Sequence, residues 1–172
     1  MKKEIEPRLH ASDLGPCVCA QVRRLARKLT SHYDSILAPT GLTLAQYSLL
    51  AHIDRDGPIP HTVLAEKVGM ERTTLTRNLH VLLEGELVSV VQGKDRRQHL
   101  LKLTRIGKQK LVRSLPRWER AQRQFLTSLG PETTHELNSV LQSVETAVTK
   151  ISQLDGDATK RRANADPNGQ KK

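Results

Sequence analysis

Two short stretches of this sequence hold most of the side chains whose types and spacing could do chemistry. Positions 71–85 read ERTTLTRNLHVLLEG, and positions 93–98 read GKDRRQ. Arginine can donate paired hydrogen bonds to a guanine edge, and threonine can contact a phosphate oxygen or a thymine methyl group. Both stretches therefore have a chemistry that suits nucleic acid.

Two cysteines form a second reactive group. Cys17 and Cys19 follow directly after Gly15-Pro16, where the sequence predicts that a helix begins. Backbone N–H groups at the start of a helix favour a negatively charged sulfur, and thiolates are the first thiols to oxidise. We therefore identify Cys17 and Cys19 as a candidate redox sensor. The alternative is that both are small apolar residues packed in an interface, since free cysteine is usually buried and inert.

Motifs typical of an enzyme are absent from the sequence. None of the seven histidines has the spacing to cysteine or carboxylate that zinc ligands need. The chain also lacks a phosphate-binding glycine loop, a nucleophile elbow and a recognisable pair of catalytic carboxylates. We therefore expect a protein that is not an enzyme and that has no cofactor and no metal site.

The composition narrows the class of protein further. The 172 residues include 28 Lys and Arg against 18 Asp and Glu, which gives a formal net charge of +10. No apolar run approaches the ~18 residues that a membrane span requires, and two closely spaced cysteines do not make a disulfide-stapled secreted domain. We expect a cytoplasmic protein, and the strong positive charge makes nucleic acid the leading candidate partner.

The apolar pattern predicts the helices that surround the first basic stretch. Apolar residues recur every three or four positions from Val18 to Ile36, which indicates a long first helix that opens at Pro16 and ends at Pro39. A second helix opens at Thr43, which has capping-box spacing to Gln46. Positions 61–85 read as two short helices joined at Gly69, and such a pair forms a helix-turn-helix.

The period changes after the helix-turn-helix. Two β-rich runs, at 87–92 and 99–103, predict a hairpin that has GKDRRQ at its tip. From Thr104 the period is helical again, and Gly130-Pro131 separates two long helices. The predicted fold class is mainly α with a small β wing, namely a winged helix-turn-helix framed by N- and C-terminal dimerisation helices.

The helix over 71–85 has one apolar face and one polar face. Its packing side is predicted to consist of Leu75, Leu79, Leu82 and Leu83. A recognition helix reads bases with its N-terminal residues, and the N-terminal part of the opposite face is polar. The alternative is an ordinary solvated helix face. We predict DNA contacts from Arg72, Thr73, Thr74, Thr76 and Arg77.

The tip of the predicted hairpin is basic. It carries Lys94, Arg96 and Arg97 against Asp95 alone. A basic hairpin tip suits a minor groove or the phosphates that flank a site, although a plain solvated hairpin is the alternative. We predict DNA contacts from Lys94, Arg96 and Arg97.

The first helix and the last two helices carry apolar stripes that one small winged domain cannot all cover. Pairing with a second copy of the chain would bury them and would present two recognition helices to successive major grooves, ~34 Å apart. The predicted partners are therefore a second copy, in a homodimer, and double-stranded DNA with a pseudo-palindromic operator. An intramolecular bundle is the alternative, because heptad-like spacing alone does not fix the partner.

The order and spacing of these segments resemble the MarR family of bacterial transcription regulators over residues 15–153. The matching segments are GLTLAQYSLL, LAEKVGM, TTLTRNLHVLL, DRR in the hairpin and LTRIG at the start of the following helix. The resemblance implies a regulator whose DNA affinity is altered by a small anionic or phenolic effector. Arg23, Arg24 and Arg27 are positive groups in the region where the family binds it, although they equally suit a solvated helix face. It also implies that Asp95 braces the wing through an arginine.

Two positions depart from the family pattern. Glu71 stands where a better helix N-cap, such as serine or aspartate, is usual. Gly85 lies one residue earlier than the glycine that usually precedes the Leu-Val pair, here Leu87-Val88. The second departure concerns the geometry of the local turn and not the fold.

The predicted function is a sequence-specific transcriptional regulator, a repressor released by a small-molecule or oxidative signal. One alternative is a nonspecific architectural DNA-binding protein without an effector site. Another is a small enzyme or protein-interaction module that does not use DNA. The predicted regions are a flexible arm (1–14), N-terminal helices with the first in the dimer interface (15–55), the winged helix-turn-helix (56–103), C-terminal dimerisation helices (104–154) and a disordered tail (155–172).

Overall fold

The computed structural model describes residues 17–93, 95 and 97–165, with side chains as far as residue 154. The predicted arm over 1–14 lies outside the described residues, as do Lys94, Arg96 and positions 166–172. The chain forms two compact units, which divide between Gln122 and Arg123.

The elements follow the predicted order, and the fold is mainly helical with a small three-stranded antiparallel sheet. It is a winged helix-turn-helix fold with additional helices at both ends, as the sequence predicted. In chain order the elements are α1 (Val18–Leu37), a 3₁₀ turn (Ala38–Thr40), α2 (Leu44–Asp56), β1 (Ile59–Pro60), α3 (His61–Val68), α4 (Arg72–Glu84), β2 (Val88–Gln92), β3 (His99–Leu103), α5 (Arg105–Leu129) and α6 (Pro131–Ala165).

Hydrogen bonds with three side chains define the start of α2. The predicted capping box is confirmed: the Gln46 N–H donates to Thr43 Oγ1 over 3.2 Å, and the Thr43 N–H donates to Gln46 Oε1 over 3.0 Å. The Leu44 N–H donates to Asp34 Oδ1 of α1 over 2.6 Å. These bonds satisfy N–H groups that have no partner within the helix. The bond from Leu44 to Asp34 also joins the start of α2 to α1.

The core of the first unit is mainly aliphatic, and its buried cluster includes one aromatic ring, that of Tyr47. Tyr47 of α2 and Trp118 of α5 stack with their ring centroids 5.8 Å apart and their planes 15° from parallel. All helices from α1 to α5 and the sheet contribute buried side chains. The buried apolar cluster comprises Leu37, Leu42, Tyr47, Leu49, Leu50, Ile53, Ile59, Leu64, Leu75, Leu79, Leu82, Val88, Leu101 and Leu111.

The sheet joins the hairpin to the helix-turn-helix. Its strand order is β1-β3-β2, so that β3 lies in the middle. Leu101 pairs with Ile59 of β1 on one side and with Val90 of β2 on the other. The short β1 directly precedes α3, and pairing of β1 with β3 therefore fixes the wing relative to the helix-turn-helix.

A tight junction connects the end of α4 to the start of α5. Thr104 is the residue before α5, and its hydroxyl oxygen accepts the Gly107 N–H over 2.9 Å, as an N-cap does. The same hydroxyl donates to the Glu86 carbonyl over 2.6 Å. One side chain thus ties the first turn of α5 to the turn that ends the helix-turn-helix.

The second unit contains the end of α5 and all of α6. The sequence predicted disorder from residue 155 onward, but α6 continues to Ala165. Residues 155–165 have little apolar content, and the prediction of disorder rested on that. Alanine, lysine and arginine are strong helix formers, and they can extend an existing helix without an apolar face. No helix in the described part of the chain is both long enough and apolar enough to cross a membrane.

Candidate nucleic-acid interface

Helix α4 has the two faces that the sequence predicted, with one correction. Leu75, Leu79 and Leu82 are buried, whereas Leu83 is 38% exposed and was wrongly placed in the core. At 100° per residue Leu83 lies about 80° around the helix from Leu75, at the edge of the packed face. The predicted contact residues are all exposed, and they are Arg72, Thr73, Thr74, Thr76 and Arg77.

Two polar side chains of α4, those of Thr76 and Asn78, use donor groups within the helix itself. The Thr76 hydroxyl donates to the Arg72 carbonyl over 2.8 Å, and the Asn78 side-chain amide donates to the Thr74 carbonyl over 2.9 Å. Because its proton is used within the helix, the Thr76 oxygen is left to accept. A phosphate group can only accept, so Thr76 is better suited to an amino group of a base or, through its methyl group, to thymine.

A shallow concavity on the outward face joins several of these residues. It is lined by Arg72, Thr73, Thr76, Arg77, His80 and Val81. The last two residues were not predicted as candidate site residues. The signal was present in the sequence, because His80 follows Thr76 and Arg77 by four and three positions and therefore lies on the same side of the helix.

The turn between α3 and α4 sets the angle at which α4 is presented. Gly69 has a left-handed backbone with φ of 62°. Its N–H donates to the Glu66 carbonyl over 3.2 Å, and the Met70 N–H donates to the Ala65 carbonyl over 3.1 Å. These two bonds form a Schellman motif, in which glycine avoids the clash that a Cβ atom would cause.

An ion pair holds α3 against the preceding helix. Lys67 Nζ lies 3.3 Å from Asp56 Oδ2 at the end of α2, and Arg55 also contacts this carboxylate. The hydrogen bond from Arg55, assisted by Lys67, lowers the pKa of Asp56 below its usual value. The carboxylate therefore stays ionised across the neutral range and keeps Lys67 engaged.

The wing turn is held by Asp95, as far as the described residues show. Asp95 Oδ1 accepts the Arg97 N–H over 2.9 Å, and the Asp95 carbonyl accepts the Gln98 N–H over 2.9 Å. The Gly93 N–H donates to the Gln98 carbonyl over 2.8 Å and closes the turn. The contact that supports a structural role for Asp95 is thus with a backbone N–H. Arg97 is exposed, and Lys94 and Arg96 lie outside the described residues.

The two cysteines lie at the start of α1, but not as the sequence placed them. The helix begins at Val18, so Cys17 is its N-cap residue with φ of −56° and ψ of 113°, and only Cys19 is helical. The expected start at Pro16 was two residues early. Both cysteines are free and exposed in the chain. Arg23, Arg24 and Arg27 are exposed on the same helix.

Among the described residues no group of three or more His, Cys, Asp and Glu side chains is arranged to hold a metal ion. The candidate interface consists of the outward face of α4 and of the wing. Both offer arginine and short polar side chains on a rigid scaffold, and these are groups that contact base edges and phosphates.

A helix-turn-helix followed by an antiparallel wing, with an exposed polar face on its second helix, defines a winged helix-turn-helix DNA-binding protein. Comparison with known proteins narrows this class. A family model described as the MarR family matches residues 40–98. The chain belongs to the MarR family of winged helix-turn-helix transcriptional regulators, as the sequence predicted.

Three similar proteins support this assignment. The transcriptional regulator MosR of M. tuberculosis, in a crystal structure with DNA, is 37% identical with a TM-score of 0.65, over 77% of this chain and 98% of that chain. CouR, a transcriptional repressor in a structure with a 23-mer DNA duplex, is 25% identical with a TM-score of 0.69, over 81% of this chain and 99% of that chain. The regulator YwoH of Bacillus subtilis is 30% identical over 90 residues, which are 52% of this chain and 66% of that protein.

Proposed function

We propose that this regulator is a repressor that binds a pseudo-palindromic operator in double-stranded DNA as a homodimer and leaves it on a chemical signal. The observation that carries the proposal is the outward face of α4, where exposed arginines and threonines stand opposite buried leucines. Base contacts come from the N-terminal half of this face, namely from Arg72, Thr73, Thr74, Thr76 and Arg77.

The wing supplies a second DNA contact. Arg97 is exposed at a turn that Asp95 keeps closed through the Arg97 backbone. A guanidinium at such a tip reaches flanking phosphates or an adjacent minor groove. Lys94 and Arg96 belong to the same basic tip by sequence and complete the proposed contact.

A second copy of the chain covers the apolar side chains that a single chain leaves exposed. Six large apolar residues of α6 are between 44% and 70% exposed, and they recur at helical spacing. Val18, Val22 and Leu25 of α1 are also about half exposed or more. An exposed apolar stripe along a helix suits a protein–protein contact, and a two-fold pair of identical chains matches a two-fold operator. The six residues are Val140, Leu141, Val144, Val148, Ile151 and Leu154.

Repression is the role that a bound operator explains most directly, because a protein held on a promoter excludes the transcription machinery. CouR, which is described as a repressor, shares the fold over almost its whole length. The signal that releases DNA is either a small anionic or phenolic molecule or an oxidant. Arg23, Arg24 and Arg27 offer positive charge for the first, and the exposed Cys17 and Cys19 offer sulfur for the second.

The proposal is tested by selecting bound fragments from genomic DNA and titrating the enriched duplex against a random duplex at several salt concentrations. We expect the enriched duplex to bind at least a thousandfold more tightly than the random one, and the complex to contain two chains. Equal binding to both duplexes with a steep salt dependence would indicate the nonspecific architectural alternative. No binding to either duplex would favour a module that does not use DNA.

A further inference from the structure

Two residues on the outward face of α4 have no part in the contacts proposed so far. His80 and Glu84 lie one helical turn apart, and His80 Nδ1 is 3.2 Å from Glu84 Oε2. Their side chains are 69% and 68% exposed, so burial does not account for their pairing. His80 follows Thr73 by seven positions and Arg77 by three, and it lines the same concavity as both.

Glu84 occupies a place that is unfavourable for a carboxylate in two respects. It is the last residue of α4, where the partial negative charge of the helix end repels an anion. It also lies on the stripe that begins at Thr73, which would face bound DNA and its negative charge. Helix-end electrostatics and general attraction to DNA both disfavour a carboxylate at this position, and its observed contact is with His80.

The carboxylate determines what the imidazole can offer to DNA. A negative charge beside Nδ1 favours the proton on that nitrogen, which leaves Nε2 of the neutral ring as a hydrogen-bond acceptor. In the major groove the hydrogen-bond donors are the amino groups of adenine and cytosine. The pair of side chains is thus suited to recognise an amino group.

The position of His80 along α4 is compatible with such a contact. Seven residues of helix correspond to about 10 Å, and the major groove is about 12 Å wide. A helix whose first turn enters the groove therefore carries His80 over the same groove. Glu84, four residues farther on, would lie about 6 Å beyond His80, near the rim.

We propose that His80 is a further specificity-determining residue, whose Nε2 accepts a hydrogen bond from an adenine or cytosine amino group, and that Glu84 is its positioning residue. This inference rests on the proposed function, because it requires α4 to enter the major groove. It adds to that function a named atom and a class of base that the atom recognises.

The first part of the test uses randomised duplexes. Selection with the wild type and with His80→Ala gives the base preference at each operator position. His80→Ala should flatten the preference at one position of each half-site by about three- to tenfold, as the loss of one hydrogen bond does, and leave the other positions unchanged. His135→Ala, the same change at an exposed histidine of α6, is the matched control and should change no preference.

The second part identifies the amino group. At the sensitive position, adenine is replaced by purine or cytosine by 2-pyrimidinone, each of which lacks only the amino group. This change should weaken binding by the wild type about three- to tenfold, and it should not weaken binding by the His80→Ala variant further. The four affinities form a double-mutant cycle between protein and DNA. Glu84→Ala should flatten the preference at the same position and, because a negative charge is lost, raise affinity for random duplexes.

Three results would overturn the inference. One is a His80→Ala variant that keeps the wild-type preference at every position. Another is an equal loss from removal of the amino group in the wild type and in His80→Ala. A wild type that enriches no sequence at all would overturn both this inference and the proposed function, whereas the first two results leave the proposed function standing.

Discussion

Gly107 packs against Leu87 so closely that a Cβ atom at position 107 would lie 2.0 Å from the Leu87 carbonyl oxygen. Gly107 is in the first turn of α5, and Leu87 directly precedes β2. The glycine of the LTRIG segment is therefore explained by this close approach of two backbones, since its φ is not positive. The same carbonyl accepts the Thr104 N–H over 3.1 Å, so that the wing, α4 and α5 meet at one point.

We expect Gly107→Ala to lower the free energy of unfolding by roughly 1–3 kcal/mol, because the backbone must move to admit a methyl group. Helix propensity alone predicts that Gly107→Ala raises the free energy of unfolding by about 1 kcal/mol. The sign of the measured change therefore shows whether the steric clash or the helix propensity dominates. The measurement is urea unfolding followed by the fluorescence of Trp118, the only tryptophan. Gln109→Ala, at an exposed position of α5, is the control and should change stability little. A stabilised Gly107→Ala variant would contradict the close approach.

The end of α4 gives a prediction with the opposite sign. Glu86 has a left-handed backbone with φ of 55°, and its N–H and that of Leu87 complete a Schellman motif to Leu83 and Leu82. We expect Glu86→Gly to raise the free energy of unfolding by about 1 kcal/mol, because glycine adopts this conformation without a steric cost. Glu86→Ala removes the same side chain but keeps the strain, so it should bring no gain. Equal effects of the two variants would show that the backbone at position 86 is not strained.

Glu86 also shows what the sequence could and could not predict. The order of elements, the hairpin and the capping box at Thr43 followed from apolar period and turn residues, which act locally. The misplaced Gly85 was visible in the sequence as a departure, but only the structure shows that Glu86 takes the left-handed position. Leu83 was placed in the core because the apolar pattern does not reveal how wide the packed face is. His80 was missed although its spacing to Thr76 and Arg77 places it on their side of the helix, and only the structure shows its contact with Glu84.

The proposed base readout is tested at Arg77. This arginine is exposed on the outward face of α4, and a guanidinium that contacts guanine contributes roughly 1–3 kcal/mol of discrimination. Arg77→Ala should therefore weaken binding to the operator by that amount and binding to a random duplex by less. Fluorescence anisotropy with both duplexes measures the difference. Arg113→Ala, which removes an exposed arginine from α5, should leave the ratio of the two affinities unchanged. Equal losses on both duplexes from Arg77→Ala would reassign this residue to phosphate contact, and Arg72→Ala is read in the same way.

The proposed role of the wing is tested by salt dependence. Each contact between a basic side chain and a phosphate releases about one counterion, which sets the slope of the logarithm of affinity against the logarithm of salt concentration. Arg97→Ala should weaken binding and lower this slope by about one, and Arg96→Ala should do the same if its side chain also reaches the backbone. Arg113→Ala again serves as the control for loss of charge. An unchanged slope in both wing variants would make the hairpin purely structural.

The proposed oxidative signal is tested at Cys17 and Cys19. Both thiols are exposed in the chain, and they lie at the N-cap and in the first turn of α1, beside the apolar residues proposed to pack against a second copy. A hydroperoxide transfers one oxygen atom to a thiolate and leaves as an alcohol or water, and the resulting sulfenic acid condenses with another thiol to a disulfide and water. Either product places a polar or cross-linked group where the dimer requires apolar packing.

We therefore expect peroxide to weaken operator binding by the wild type and dithiothreitol to restore it. The Cys17→Ser/Cys19→Ser variant should bind equally with and without peroxide. The measurement is a peroxide titration of operator affinity for both proteins, with mass spectrometry to place the added oxygen. If the wild type holds its operator under peroxide as tightly as the double variant does, the two cysteines are packing residues and a small-molecule ligand is the signal.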